Sequence, residues 1–331
     1  MLIAKRAGLS VITILFTITV IFFLLRLSPH DPEITTLNSL LASGVPRSVA
    51  VTRVEILYGP NPKGPIIIQY FQYLWGLLHG KLGQSYVFPD TPIPVLIAKS
   101  LPWTVLTGGL SIGAMFIIGV ASGAVAAFRR NGLFDKIMSP TASVISGIPN
   151  YLVGTILLYV FAVLLGWFPM QGAYSPTVHT GLNFPFIFSA LYHAVLPIGA
   201  YAVSGIGYYV LMMKANTVST LGDDFVTGAR GYGIPQRKIM IEYVAPNSIL
   251  PMVTHVVLSI SVILGGSIFV ETIFSYPGIG YLFGIASGSY DYALMQAEFL
   301  MMATIIVAAN FAADLIYVRI DPRIHLEDVM G

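Results

Sequence analysis

The chain has 331 residues, of which 56% are hydrophobic and 10% charged, with a net charge of +2 and a mean hydropathy of +0.79. Soluble domains carry roughly 25% charged residues, so a chain this apolar lacks the polar surface to stay dispersed in water, and its solvent is a bilayer. Cysteine is absent, which excludes disulfides, thiolate metal sites and thiol nucleophiles, and so small a net charge gives no footing for nucleic acid.

Crossing a hydrocarbon core of about 30 Å takes about 20 apolar residues in a helix. Six stretches meet that length, near 8–27, 103–127, 141–166, 194–213, 250–270 and 295–317. The first follows Lys5 and Arg6 and has the outline of a signal peptide. Its apolar run is long for one, and Phe22-Phe23-Leu24-Leu25-Arg26-Leu27 stands where small cleavage-site residues belong, which favours an uncleaved anchor.

Residues 29–100 form the sizeable segment between the first two spans. It opens with SPHDPE (28–33), carries the turn-rich YGPNPKGP (58–65), and continues with IIIQYFQYLWGLLHGKLGQSY (66–86), whose apolar residues fall at helical spacing. This predicts a small extracytoplasmic domain capping the outer membrane face. Its aromatics read as packing residues, with a ligand platform as the alternative. TPIPVLIAKSLP (91–102) then leads back in as a short amphipathic segment. The expected organisation is an N-terminal part, 1–100, and a five-helix core domain, 101–331.

The second span places Gly109 and Gly113, then Gly119 and Gly123, four apart on one helix face, where backbones can approach closely. Packing within the chain is the plain reading, and a partner helix the sharper one. Pro140 and Pro149 near the start of the third span predict a kink or a late helix start. Ionisable groups inside the spans are few: Glu298 and Asp314, with His193 and His255 near span ends. Proton-coupled transporters use more carboxylates as relays. Asp314 is read as bonding to a neighbouring helix. No internal repeat and no matched pair of broken helices is apparent.

Orientation follows from the basic residues. With both termini inside, eleven of the 17 Lys and Arg are cytoplasmic and six are outside, five of those in one long segment that translocates regardless of charge. Catalytic patterns are missing: there is no phosphate loop, no His-Glu-x-x-His pair, no Gly-x-Ser-x-Gly elbow and no nucleophile–base pair at bilayer depth.

Between spans four and five lies DDFVTGARGYGIPQRKIMIEYVAP (223–246), whose charges cancel: Asp223, Asp224 and Glu242 against Arg230, Arg237 and Lys238. Asp223 or Asp224 can cap a helix starting near Phe225, Gly231 and Gly233 break it, and Pro235 prevents continuation. A second helix starts near Pro235 and runs past Glu242 into the fifth span, with Pro246 and Pro251 at its beginning. A two-turn helix is marginal alone and must dock on something. Neutral charge does not suit lipid headgroups, which select Lys and Arg, so a cytoplasmic protein groove fits better, against the plain alternative of a solvated loop.

This stretch resembles the EAA loop of permease subunits in binding-protein-dependent ABC importers. Thr227-Gly228-Ala229 stands where Glu-Ala-Ala would, Gly233 follows after three residues, and Ala245-Pro246 completes the pattern; Ala229, Gly233 and Pro246 match its consensus letters. The likeness is closer to the oligopeptide/dipeptide permease B type, which reads Asp-Tyr-Val-Arg-Thr-Ala-Arg-Ala-Lys-Gly. Here Asp224-Phe225-Val226-Thr227-Gly228-Ala229-Arg230-Gly231-Tyr232-Gly233 aligns without a gap. Asn247 and Pro251 fit the branch's later His-x-x-x-Asn-x-x-x-Pro, with Tyr243 in place of the His. RLSPHDP (26–32), VETIFSYPGIG (270–280) and DPRI (321–324) resemble its other signatures.

The resemblance implies an all-α integral membrane protein with six spans and the type I importer permease fold. It implies a second homologous permease subunit, two cytoplasmic ATP-binding subunits holding ATP and Mg, and an extracytoplasmic substrate-binding protein, with no cofactor in this chain. The loop at 223–251 would carry the coupling helix, with Asp224, Phe225, Thr227, Gly228, Ala229, Arg230, Gly233 and Pro246 at the ATPase contact. Gly228, where the branch has a larger residue, is read as close backbone packing against that partner. Peptides are the expected cargo and oligosaccharides the alternative. Readings of another class are a stand-alone secondary transporter or channel, and an intramembrane enzyme.

Overall fold

A computed structural model of the chain describes residues 2–27, 32–58, 65–85, 87–88 and 91–320, and every described element is a helix. Residues 28–31 (in RLSPHDP and SPHDPE), 59–64 (in YGPNPKGP) and the DPRI at 321–324 lie outside the described residues, as does the side chain of Asp314. In chain order the helices are α1 (Leu2–Arg26), α2 (Pro32–Ala42), α3 (Arg47–Tyr58), α4 (Ile66–Leu78), α5 (Ile93–Phe128), α6 (Leu133–Ser146), α7 (Asn150–Leu157), α8 (Phe184–Leu221), α9 (Asp224–Gly231), α10 (Gln236–Lys238), α11 (Ala245–Ile273), α12 (Ile279–Gly288) and α13 (Tyr292–Ile320). π-helical segments extend α7 over Leu158–Leu164 and join α10 to α11 over Ile239–Val244.

Among the described residues five helices are long and apolar enough to cross a membrane: Gly8–Arg26, Ile93–Phe128, Phe184–Leu221, Gln236–Ser261 and Tyr292–Ala312. A sixth crossing exists only if Leu133–Ser146 and Asn150–Leu164, which meet at 100°, count as one broken span. The expected third span at 141–166 is therefore not one rod. A residue before proline, here Ile148, is disfavoured in the helical region, and Pro149 itself is extended at ψ 139. The helix restarts at Asn150. Residues 141–146 belong to α6, which continues through Pro140.

One compact unit takes Met1–Pro102 and Gly278–Val307. In it α2 and α3 pack on each other, and α4 packs alongside α1. Thr19 Oγ1 and Tyr70 Oη lie 2.6 Å apart, Tyr73 stacks on Phe22 at 5.3 Å and Tyr70 on Phe23 at 5.5 Å. These α1 residues sit inside the apolar span Gly8–Arg26, about 5–10 Å short of its Arg26 end. This part of the cap thus lies beside the span, and α4 leaves Ile67, Ile68, Phe71, Trp75 and Leu78 exposed.

A second cluster of that unit gathers Ile93, Leu282, Ala286, Leu294 and Ala297. Asp291 caps α13: its carboxylate accepts from Leu294 N at 3.0 Å, from the Ser85 hydroxyl at 2.6 Å and from Val87 N at 3.3 Å, fully buried.

The segment 91–102 does not form a separate amphipathic piece. From Ile93 it belongs to α5, one helix of 36 residues running through Pro102. A membrane helix tolerates an internal proline where neighbours re-satisfy the freed carbonyl.

The other unit takes Trp103–Pro277 and Ala308–Gly331. Its axis is α8, 38 residues long, against which α6, α7 and α11 all pack. Asn183 caps α8 by accepting from Phe186 N at 2.9 Å, and Pro185 stands in the first turn, where its missing N–H costs nothing. Lys214 of α8 pairs with Asp135 of α6; its Nζ also donates to Ser139 Oγ at 2.8 Å, and Ser139 donates to Asp135 at 2.6 Å. Asn131 N donates to the other Asp135 oxygen at 3.0 Å. This network closes the turn between α5 and α6 and clamps it to α8.

Candidate functional site

The segment 223–246 folds as a short helix turned back on the foot of a long one. Asp223 occupies the position before α9, extended at φ −70 and ψ 149, but its side chain makes no capping bond. Its carbonyl instead accepts from Val226 N at 3.1 Å and Thr227 N at 3.2 Å. The expected aspartate cap is thus a backbone one.

The other end of α9 is closed by a Schellman turn. Gly233 N donates to Arg230 O at 2.9 Å and Ile234 N to Ala229 O at 3.2 Å, with Gly233 left-handed at φ +73. A residue with a Cβ is strained there, whereas glycine is not. Pro235, two residues on, stands immediately before α10.

The two arms share a core of their own. Val226 and Ala229 from α9 are buried with Ile239, Met240 and Val244, and Leu221, Ile234 and Tyr243 pack around them. The eight-residue helix therefore docks first within its own chain, which sequence reasoning did not foresee: Ala229 faces inward. What is left exposed is Asp224, Phe225, Thr227, Gly228, Arg230 and Tyr232, the last 89% accessible. Among the described residues, nothing outside its own helix backbone and chain neighbours comes within 4 Å of where a Cβ on Gly228 would stand.

The Ile239–Val244 π-turns carry the hairpin into α11. Their wider turn suits the proline that follows: in an α-helix the ring of Pro246 would press on the carbonyl four residues back. Pro246 is exposed, Pro251 sits inside the continuous helix, and Asn247 Nδ2 donates to Tyr243 O at 2.6 Å. Lys238 and Glu242 pair at 3.8 Å on the surface, a contact worth little in water.

Within 270–280, residues 270–276 form a buried corner at the far end of α11. Val270, Phe274 and Tyr276 join Ala194, Ala200 and Tyr201 in one apolar cluster. Glu271, fully buried, accepts from Thr104 Oγ1 at 2.7 Å. Tyr276 N donates back to Glu271 O at 2.8 Å, and Gly172 N to Phe274 O at 3.0 Å. Sequence reasoning took this stretch as a signature and missed Glu271 as a buried carboxylate; its place one residue past an apolar run was the available signal.

The four glycines of the second span divide. A Cβ at Gly119 would stand 2.4 Å from Tyr209 Cβ, and one at Gly123 2.5 Å from Val210 O, so these two seat α5 against α8. A Cβ at Gly109 or Gly113 would meet nothing within 4 Å among the described residues beyond its own helix.

With this geometry in view, comparison with known proteins identifies the family. The model described as the binding-protein-dependent transport system inner membrane component matches residues 115–326, a span that holds both the hairpin and the buried corner. The chain belongs to that family.

This inner membrane component is 31% identical over 322 residues to the oligopeptide transport system permease protein AppB of Bacillus subtilis, covering 96% of this chain and 98% of that protein. It is 29% identical over 325 residues to the oligopeptide transport system permease protein OppB of Escherichia coli K12, covering 97% and 98%. Among solved structures it resembles a chain of the MetNI methionine ABC transporter in inward-facing conformations, with TM-score 0.57 and 14% identity over 70% of this chain and 99% of that one. That likeness is one of fold, and it agrees with the type I permease architecture. The inner membrane component is a multi-pass membrane protein whose helices carry the segments expected of an importer permease.

Proposed function

We propose that this chain is the permease subunit of an ATP-driven importer of peptides and forms half of its translocation pathway. The observation that carries the reading is the hairpin: a helix of two turns, locked by Gly233 and its own core, that presents Phe225, Gly228, Arg230 and Tyr232 to the solvent. A flexible loop would dissipate a push; a docked helix passes it to the span it is joined to. Two ATP-binding subunits, which hold the nucleotide and Mg, engage this face, and the open surface over Gly228 lets a partner's backbone come close. A second permease subunit completes the pathway and a binding protein on the outer side delivers cargo. Both termini and the hairpin lie on the cytoplasmic side. Peptides are favoured as cargo because AppB and OppB, similar over nearly the full chain, are oligopeptide permeases.

The test is reconstitution of the purified permease pair in liposomes with ATPase subunits inside and binding protein outside. Tripeptide uptake should require all components and ATP. Uptake driven by a proton or sodium gradient without the ATPases would defeat the proposal.

A further inference from the structure

Within the unit built on Trp103–Pro277 a half-open cavity of about 520 Å³ is lined from five helices, inside the range of about 300–1,000 Å³ typical of ligand pockets. Ser146 ends α6 and Asn150 begins α7, so the 100° break in the third span forms part of its wall. Tyr208 and Ser204 reach it from α8, and His255 and Ser259 from α11, with Met115, Leu258 and Ile263 as apolar lining.

Two features set this wall apart from simple helix packing. First, polar side chains are costly inside a membrane protein unless they bond across helices or meet a guest. Tyr209 Oη and Ser259 Oγ do the former at 2.8 Å. Tyr208, 49% exposed, is held only loosely: its Oη lies 3.5 Å from His255 Nδ1, too long for a strong bond, and the rings meet edge-on at 5.7 Å. Second, among the described residues no Asp, Glu, Lys or Arg lines the cavity. Ser146, Ser204 and Ser259 donate to carbonyls of their own helices and keep acceptor capacity, while the Tyr208 hydroxyl, the Asn150 amide and the His255 imidazole bring both donors and acceptors.

We propose that this cavity is a resting site for cargo in this chain's half of the pathway, and that it reads the main-chain amides of a peptide while ignoring its side-chain charge. The inference rests on the peptide-importer reading above. Each peptide residue offers one N–H and one C=O; the serine oxygens can accept from the first, and Tyr208, Asn150 and His255 can meet either. A fixed charge in the wall would repel like-charged peptides. Its absence lets one cavity pass acidic, neutral and basic sequences.

The lack of cysteine makes a direct test simple, since Ser204→Cys introduces the sole thiol of this chain. The complete transporter carrying it is reconstituted, and labelling by a small methanethiosulfonate is followed during ATP turnover, with the parent transporter as control. Labelling should block tripeptide uptake. Peptide at ten times its half-saturating level should slow labelling about tenfold, equally for Ala-Ala-Ala, Ala-Lys-Ala and Ala-Glu-Ala. A second variant, Ser146→Asp, should depress uptake of Ala-Glu-Ala relative to Ala-Lys-Ala by about tenfold. Labelling indifferent to peptide while the parent transports normally overturns the proposal, as does protection by a cello-oligosaccharide but not by peptide, or equal uptake of the two charged peptides by Ser146→Asp. No ATP-driven uptake by the parent would instead defeat the importer reading, and this inference with it.

Discussion

The Thr104 hydroxyl donates a 2.7 Å hydrogen bond to Glu271, a carboxylate with no exposed surface, across 167 residues of chain. Removing a donor from a buried carboxylate leaves it with a desolvation cost of about 1–3 kcal/mol. Thr104→Val should therefore lower the thermal midpoint of the detergent-solubilised protein by several degrees, while Thr104→Ser, which keeps the hydroxyl, should restore it. Equal midpoints for all three proteins would mean that the bond contributes nothing.

Gly233 tests the hairpin without touching its contacts. Among the described residues beyond its chain neighbours, no atom lies within 4 Å of a Cβ placed there, so Gly233→Val acts chiefly through its left-handed φ of +73, at a cost of about 1–2 kcal/mol. The variant should insert in the membrane yet lose ATP-driven uptake. Gly233→Asn, which tolerates that conformation, should retain most of it. Normal uptake by the valine variant would show that the turn need not be rigid.

Ala229 and Phe225 should separate the inner face of the short helix from its outer one. Ala229→Glu forces a carboxylate into the core formed with Ile239, Met240 and Val244, so residues 223–246 should become open to protease even without ATPase subunits. Phe225→Ala should leave protease resistance intact and weaken co-purification of the ATPases. The reverse pattern would invert the assignment of the two faces.

Lys214 and Asp135 form a pair whose side chains are 24% and 7% exposed. Lys214→Met removes the countercharge and leaves Asp135 with Ser139 and Asn131 as its donors, so the thermal midpoint should fall. The double variant Lys214→Met/Asp135→Asn should recover most of that loss in the thermal midpoint. Failure to recover would point to the lysine stem rather than the charge.

The exposed face of α4 should meet lipid. A spin label at Phe71→Cys should be accessible to oxygen and shielded from a water-soluble nickel complex, as expected beside a span and below its end. Strong nickel accessibility would lift α4 out of the bilayer, and exclusion of both reagents would mean that protein covers it.

Much of this architecture is legible in the sequence because it depends on local pattern. Apolar runs marked the crossings, Pro149 marked the restart of the third one, and the spacing from Asp224 to Gly233 marked the hairpin. The parts that were missed depend on distant residues. Asp291 is buried by Ser85, 206 positions away, and a lone aspartate between two apolar helices carries no sign of that. Ala229 was taken for a contact with a partner because motif letters do not say which side of a helix faces inward; the pairing with Ile239 and Val244 decides it. The π-turns have only Pro246 and Pro251 as a hint, and two prolines alone equally well predict a break.

α11 is gripped at both extremities, by the hairpin core at Val244 and by the buried corner around Glu271 and Tyr276. Its 29 residues cover about 43 Å. Its middle is held as well, since Met252 and Ile263 share one core with Met115 of α5 and Tyr209 and Met213 of α8. Under the importer reading, a push at the hairpin would therefore pass through α11 to α5 and α8 together, and would reach the chamber that His255 and Ser259 border.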